Sequence, residues 1–191
     1  MAASHHEIEI KLAVADPASA RRLLRGAGFR VSRLEVFEAN TVFDTPGRTL
    51  REAGCLLRVR QAGRTATATY KGPATVVRHK SREELEFGIT DAATMARMLS
   101  RLGLEPVFRY EKYRTEFHRP RSRGVATIDR TPIGVYVELE GDPPWIDRTA
   151  RELGFSDADY ITASYGRLYL EWCEREGVEP AHMVFPDRRR K

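Results

Sequence analysis

The chain has 191 residues, of which 41% are hydrophobic and 31% charged, with a formal net charge of +5. This length suits one domain with a real core, and no apolar stretch approaches the ~20 residues of a membrane span. The two cysteines, Cys55 and Cys173, are too far apart for a metal or redox spacing, so a soluble, cytoplasmic protein with free thiols and anionic partners is expected.

Side-chain type alternates with period two over residues 5–14, the first predicted strand. Asp16-Pro17 then reads as an N-cap followed by Pro at N1, opening a helix that runs to about Gly26. Four further strands are predicted at 34–44, 55–61, 64–71 and 79–88, with turn signals at Ala62-Gly63 and Gly72-Pro73. Thr90 is the predicted cap of a second helix through Leu102, stopped by Gly103. Strands at 106–118, 123–131 and 134–141 follow, the last two joined by Thr131-Pro132-Ile133-Gly134. A third helix is expected from about Pro144 to Gly154. A fourth, from about Thr162 to Gly177, carries Tyr165, Leu168, Tyr169 and Trp172 on one stripe. Residues 1–178 read as a single domain. Residues 179–191, ending in Arg188-Arg189-Arg190-Lys191, read as a disordered basic tail.

The residues that alternate are unusual. Successive strand side chains point to opposite faces, so Glu7, Glu9 and Lys11 share one face, with Ile8, Ile10 and Leu12 on the other. Arg58 and Arg60 oppose Leu57 and Val59. Lys71 ends a threonine row, and Lys80, Arg82, Glu84 and Glu86 form a row backed by Leu85 and Phe87. Lys112, Arg114 and Glu116 form another, Asp129 closes the row begun by Val125 and Thr127, and Glu138 and Glu140 alternate with Val137 and Leu139. Like charges two apart on one face repel slightly. The pairs Glu7/Glu9 and Glu138/Glu140 therefore suit a hard cation, and Arg58/Arg60, Lys71, Lys112 and Arg114 suit phosphate oxygens. Eight strands can close a barrel whose interior holds side chains and one small ligand. Pattern alone leaves two arrangements open: charged rows inside with helices over an apolar exterior, or an oily interior with a charged surface.

The blocks Glu7-x-Glu9-x-Lys11, Leu57-Arg58-Val59-Arg60, Tyr70-Lys71-Gly72, Arg82-Glu83-Glu84-Leu85-Glu86, Lys112-Tyr113-Arg114, Asp129, Gly134-x-x-x-Glu138-x-Glu140 and Ser164-Tyr165 occur in this order. Together they resemble the CYTH superfamily, the triphosphate tunnel metalloenzymes, over residues 5 to about 172. Asn40, ahead of Thr41-x-Phe43-Asp44, stands where many members carry Asp. The resemblance implies an α+β fold: a closed eight-stranded antiparallel β-barrel, the triphosphate tunnel, with helices packed outside.

It also implies roles. Lys11, Arg58, Arg60, Lys71, Arg82, Lys112 and Arg114 would grip the triphosphate. Glu7, Glu9, Asp129, Glu138 and Glu140 would hold Mg²⁺ or Mn²⁺, and Glu7, Glu9, Lys11, Glu138 and Glu140 would form the catalytic set. Glu84 and Glu86 suit ion pairing with tunnel cations as well as metal binding, Lys80 is expected at the surface or rim, and Tyr165 is expected to pack the last helix on the barrel and offer its hydroxyl to a neighbour. The expected activity is metal-dependent hydrolysis of inorganic tripolyphosphate or a small organic or nucleoside triphosphate. The alternatives are a class IV adenylyl cyclase and a non-catalytic polyphosphate- or RNA-binding module. The partner is a small-molecule triphosphate, and a homodimer stays open. Nucleic acid is disfavoured because Tyr70 and Phe87 fall on apolar faces rather than among the basic rows.

Overall fold

The computed structural model describes residues 3–186. In chain order it forms β1 (Ala3–Val14), α1 (Pro17–Gly26), β2 (Arg30–Asp44), a one-turn α2 (Thr49–Glu52), β3 (Leu56–Ala62), β4 (Thr65–Lys71) and a two-residue β5 (Thr75–Val76). There follow β6 (Lys80–Ile89), α3 (Ala92–Arg101), β7 (Glu105–His118), β8 (Val125–Thr131), β9 (Gly134–Glu140), α4 (Pro143–Glu152), a 3₁₀ turn (Asp157–Asp159) and α5 (Tyr165–Glu176).

All strand pairings are antiparallel, in the order β1-β9-β8-β7-β2-β3-β4-β6, and β6 pairs back onto β1. That last ladder, Ala3↔Glu86 to Glu9↔Lys80, closes an eight-stranded barrel, with β5 a short addition beside β6. Closure leaves no exposed sheet edge around the ring. The expected α+β barrel is the observed fold.

The apolar rows face outward and the helices cover them. Ile10, Leu12, Ala126, Ile128, Val137 and Leu139 pack against Ala20 and Leu24 of α1 and Trp145, Ile146 and Ala150 of α4. On the opposite wall, Leu99 of α3 packs with Phe43 and Val59. The main oily core therefore lies between barrel and helices, which frees the barrel interior for charge.

Local chemistry sets the helix starts. Asp16 accepts the Ser19 N–H at 2.8 Å, and Asp142 accepts the Trp145 N–H at 2.8 Å, each with a proline in the first turn. At α3 the cap is Asp91 rather than Thr90: its carboxylate accepts from Ala93 and Thr94, satisfying two orphan amides at once. Trp145 lies flat on backbone at Gly124 and Gly141. A Cβ on Gly124 would come within 2.4 Å of the indole. Gly124→Ala is therefore expected to destabilise the fold by about 1–3 kcal/mol, as overpacking does. Urea unfolding measures this, and an unchanged midpoint would contradict the packing described.

The expected tail is also revised. Residues 179–186 are not a loose end. Met183 is fully buried, and its backbone pairs in parallel with β7 (Met183 N–H to Arg109 O, 3.0 Å; Glu111 N–H to Met183 O, 2.9 Å). Phe185 stacks beside Tyr113. The physical reason lies in the sheet: β8 pairs with β7 only from Tyr113 onward, which leaves the 109–111 stretch of β7 an open edge on that side. The segment satisfies it. The basic run 187–191 lies outside the described residues.

Candidate functional site

Inside the barrel the charged rows of β1, β3, β4, β6, β7 and β9 face one cavity of about 780 Å³. Its lining includes Glu7, Glu9, Lys11, Arg58, Arg60, Lys71, Arg82, Lys112, Arg114, Glu138 and Glu140. Every residue expected to touch triphosphate or metal is there except Asp129. That residue also faces inward, opposite Arg114 in the β7–β8 ladder, but is fully buried beneath Lys112 and Arg114.

The charges form a continuous network. Glu9 accepts from Lys80 at 2.5 Å and from Lys11 at 3.2 Å, and Lys11 reaches Glu138 at 3.5 Å. Glu7 accepts from Lys71 at 2.6 Å, and Lys71 bridges on to Glu84 at 2.7 Å. Arg58 donates to Thr69 at 3.0 Å, to Glu86 at 3.3 Å and to the Tyr110 hydroxyl at 3.3 Å. Arg60 shares Glu86 at 3.0 Å. Arg114 forks onto Asp129 at 2.7 and 2.6 Å and also meets Glu138, while Lys112 donates to Asp129 at 2.7 Å. The pairing of Glu84 and Glu86 with tunnel cations is one of the two roles open to them from sequence.

Several participants were not legible as such. Lys80 is buried and salt-bridged to Glu9, not at the rim: as the first residue of β6 it sits opposite Glu9 in the β1 ladder. Burial pulls its ammonium below the usual lysine range, and Glu9 offsets only part of that. Glu38 lies between Arg60 (3.6 Å) and Lys112 (3.7 Å). Its strand row, Glu38-x-Asn40-x-Val42, carries one charge and so gave no charged pattern to find. Asn40 is buried and donates to the Tyr110 carbonyl at 3.4 Å. Tyr165 packs α5 and offers its hydroxyl to a neighbour as expected; the sequence did not name that neighbour. Its hydroxyl donates to Asp129 at 2.7 Å, and its ring lies 5.3 Å from the Lys11 ammonium and 5.2 Å from that of Lys112. The segment before α5 makes this reach possible, because Ile161 pairs with the backbone of Lys11.

Burial raises the Asp129 and Glu38 carboxyls, but the adjacent cations outweigh it. Arg114 and Lys112 hold Asp129 at about 2, and Lys112, Arg114 and Arg60 hold Glu38 at about 2. Both values fall below the ordinary 3.8 and 4.5. Their stabilising effect is therefore complete above the ordinary range and is lost as pH falls from about 4.5 towards about 2. Glu84 and Glu140 act in the opposite sense and in a different window: both are raised, so their ionisation weighs against folding as pH climbs above the ordinary 4.5. Thermal melts should therefore show the gap between the native chain and Glu38→Gln closing as pH drops through this window. A gap independent of pH would contradict the assignment.

The acidic donors facing the cavity are all hard carboxylate oxygens, suited to Mg²⁺ or Mn²⁺. Burial and then the neighbouring charges of Glu7 and Glu9 push the Glu140 carboxyl up, the electrostatic sign of carboxylates crowded together. Among the described residues no three His, Cys, Asp or Glu side chains converge closely enough to cage an ion, because lysines already bridge the same oxygens. The donors therefore fit in type, and engaging an ion means exchanging lysine contacts. As a ligand, Asp129 would have to give up Lys112, Arg114 or Tyr165. On the phosphate side, Arg58 Nε and Arg82 Nε are buried with no hydrogen-bond partner among the described residues, donors that an anionic oxygen would satisfy.

None of the described helices is long and apolar enough to cross a membrane. A candidate adenylate cyclase from Methanocaldococcus jannaschii is 30% identical over 134 residues, covering 70% of this chain and 75% of that protein. Solved structures share the fold. One, a candidate adenylate cyclase from Vibrio parahaemolyticus, matches with TM-score 0.71 at 22% identity, over 86% of this chain and 97% of that one. Another, the adenylyl cyclase candidate HpAC1 of Hippeastrum, is described as having a dominant triphosphatase activity. It matches with TM-score 0.63 at 18% identity, over 91% of this chain and 97% of that one. The model of the CYTH domain matches residues 5–165, and with the barrel and its charged interior in place the chain belongs to the CYTH family.

Proposed function

We propose that this protein is a metal-dependent triphosphatase that hydrolyses the terminal phosphate of a triphosphate held lengthwise in the barrel. The observation that supports it is the composition of the cavity wall: Lys and Arg from five strands and paired carboxylates from β1 and β9 face one space. A polyanion needs the first and a divalent cation needs the second.

Arg58 and Arg82, each with a buried Nε that makes no hydrogen bond among the described residues (Arg82 Nε lies 3.7 Å from Glu7), would bind phosphate oxygens in bidentate fashion, with Lys11, Arg60, Lys71, Lys112 and Arg114 as further positive charge. Glu7, Glu9, Glu138 and Glu140 would hold Mg²⁺ or Mn²⁺. When bound, the ion neutralises charge developing on phosphate oxygens and assists water or the leaving group. The remaining work is positioning, as in phosphoryl transfer generally. Asp129 and Tyr165 would fix Lys112 and Arg114 from behind so that their charge is aimed into the cavity. Burial, and then the charges of Glu7 and Glu9, hold Glu140 towards its protonated form, so it would give up a proton on joining the carboxylates that hold the ion.

The second reading is an adenylyl cyclase, in which the ribose 3′-hydroxyl of ATP attacks the α-phosphorus and pyrophosphate leaves. The relationship to the Methanocaldococcus protein favours it. Purified protein incubated with ATP or tripolyphosphate and Mg²⁺ or Mn²⁺ separates the two. Orthophosphate supports hydrolysis, cyclic AMP with pyrophosphate supports cyclisation, and no metal-dependent product from either substrate overturns both.

A further inference from the structure

The start of β6 is weakly supported by the barrel wall. β4 pairs with β6 only from Glu84 onward, so residues 80–83 have β1 on one side and, on the other, at most the two-residue β5. The segment leading in is bare, with Val76 52% and Val77 88% exposed. Yet Lys80 is buried, its ammonium 2.5 Å from Glu9. A strand end paired this sparsely frays unless something outside the ladder holds it.

Asp147 of α4 supplies that hold. Its carboxylate meets His79 Nε2 at 2.7 Å and the Arg78 guanidinium at 3.5 Å, and it accepts from the Tyr160 hydroxyl at 3.1 Å. The helix is a firm base, because Ile146, Thr149 and Ala150 around Asp147 are fully buried. Two segments converge on this one side chain. His79 immediately precedes Lys80. Tyr160 immediately precedes Ile161, whose N–H and C=O both pair with the backbone of Lys11, at 2.9 and 2.8 Å. Both lysines then end on the same oxygen, Glu9 Oε1, at 2.5 and 3.2 Å. Lys11 and Lys80 line the cavity, whereas Arg78, His79, Asp147 and Tyr160 do not. Resting on the triphosphate reading above, we propose that Asp147 and His79 are positioning residues outside the barrel that present the Lys80 ammonium to the polyanion within it, while Tyr160 steadies the strand that carries Lys11. An ammonium already held in place costs less to engage than one that must first be ordered, so the anchor raises affinity without touching the ligand.

The test is a double-mutant cycle read by calorimetric binding of tripolyphosphate in metal-free buffer. Lys80→Met should weaken binding by about tenfold or more, as loss of one charge-assisted contact does. His79→Ala should weaken it by about threefold to tenfold, the scale of ordering one long side chain. The double variant should bind no worse than Lys80→Met alone, because His79 then has nothing left to position. Combined instead with Arg60→Met on β3, the loss from His79→Ala should multiply in full. His79→Gln, whose amide still donates to Asp147, should bind like the native chain. Asp147→Ala removes the anchor from the helix side and repeats the cycle should the His79→Ala chain not fold. A mere structural prop would lower the thermal midpoint and multiply equally with both partners. That result, or native binding by both His79→Ala and Asp147→Ala, would overturn the positioning role while the native chain's binding kept the triphosphate reading. A native chain that binds no tripolyphosphate would overturn both.

Discussion

A chain carrying Glu138→Gln together with Glu140→Gln is expected to lose metal-dependent turnover by roughly 10²–10³-fold while still binding triphosphate. Metal-assisted charge stabilisation contributes several kcal/mol to a transition state, and about 1.4 kcal/mol is tenfold in rate. Glutamine keeps the shape and much of the hydrogen bonding but is a poor ligand for a hard cation. The cations proposed to grip the polyanion lie mainly on other strands, since Arg58, Lys71, Arg82 and Lys112 are carried by β3, β4, β6 and β7. Binding should therefore survive, and with two carboxylates neutralised the cavity becomes more positive. Steady-state rates with and without Mn²⁺, paired with calorimetric binding of tripolyphosphate, separate the two effects. Unchanged turnover would mean these carboxylates hold no catalytic ion, and a non-catalytic phosphate-binding module would become the better description.

The second large effect concerns stability. Asp129 is fully buried and answers two cations and a phenol: Lys112 at 2.7 Å, Arg114 at 2.6 Å and Tyr165 at 2.7 Å. Removing one partner of a buried charge network leaves the others uncompensated, at a cost of about 3–5 kcal/mol. Asp129→Asn should therefore destabilise the fold on that scale and lower the thermal midpoint by several degrees, since roughly 2–4 °C follows each kcal/mol at this chain length. Arg114 retains Glu138 and Lys112 retains Glu38 at 3.7 Å, so the loss falls short of unfolding. A midpoint within a degree of the native chain would show that the barrel does not depend on this cluster. Activity should drop as well, because Lys112 and Arg114 lose the group that aims them.

Much of the barrel was legible because strand side chains alternate strictly. Glu7, Glu9 and Lys11 had to share a face, as did Arg58 and Arg60 and as did Glu138 and Glu140. The helix start at Asp16 and the left-handed residue Gly103 after α3 were readable from local chemistry, whereas the third helix was expected from about Pro144 without its Asp142 cap. Other features depended on neighbours remote in sequence. Lys80 looked like a rim residue until the β1–β6 ladder set it opposite Glu9. The segment around Met183 looked like a tail until β7 offered it an open edge. The hydroxyl of Tyr165 was expected to meet a neighbour, but only the tertiary structure made that neighbour Asp129.

By itself the sequence determined that polar and apolar rows occupy opposite faces of eight strands, and which helices could cover the apolar side. It left two barrels open, one oily inside and one charged inside, because a period-two pattern is unchanged when the sheet is turned over. Closure of β6 onto β1 with helices α1, α3 and α4 outside decided between them: the helices bury the apolar rows, and the charges that remain must meet within. The same folding decided which charges touch, since contact across a closed sheet depends on register and shear, and these are properties of strand pairs rather than of any one strand.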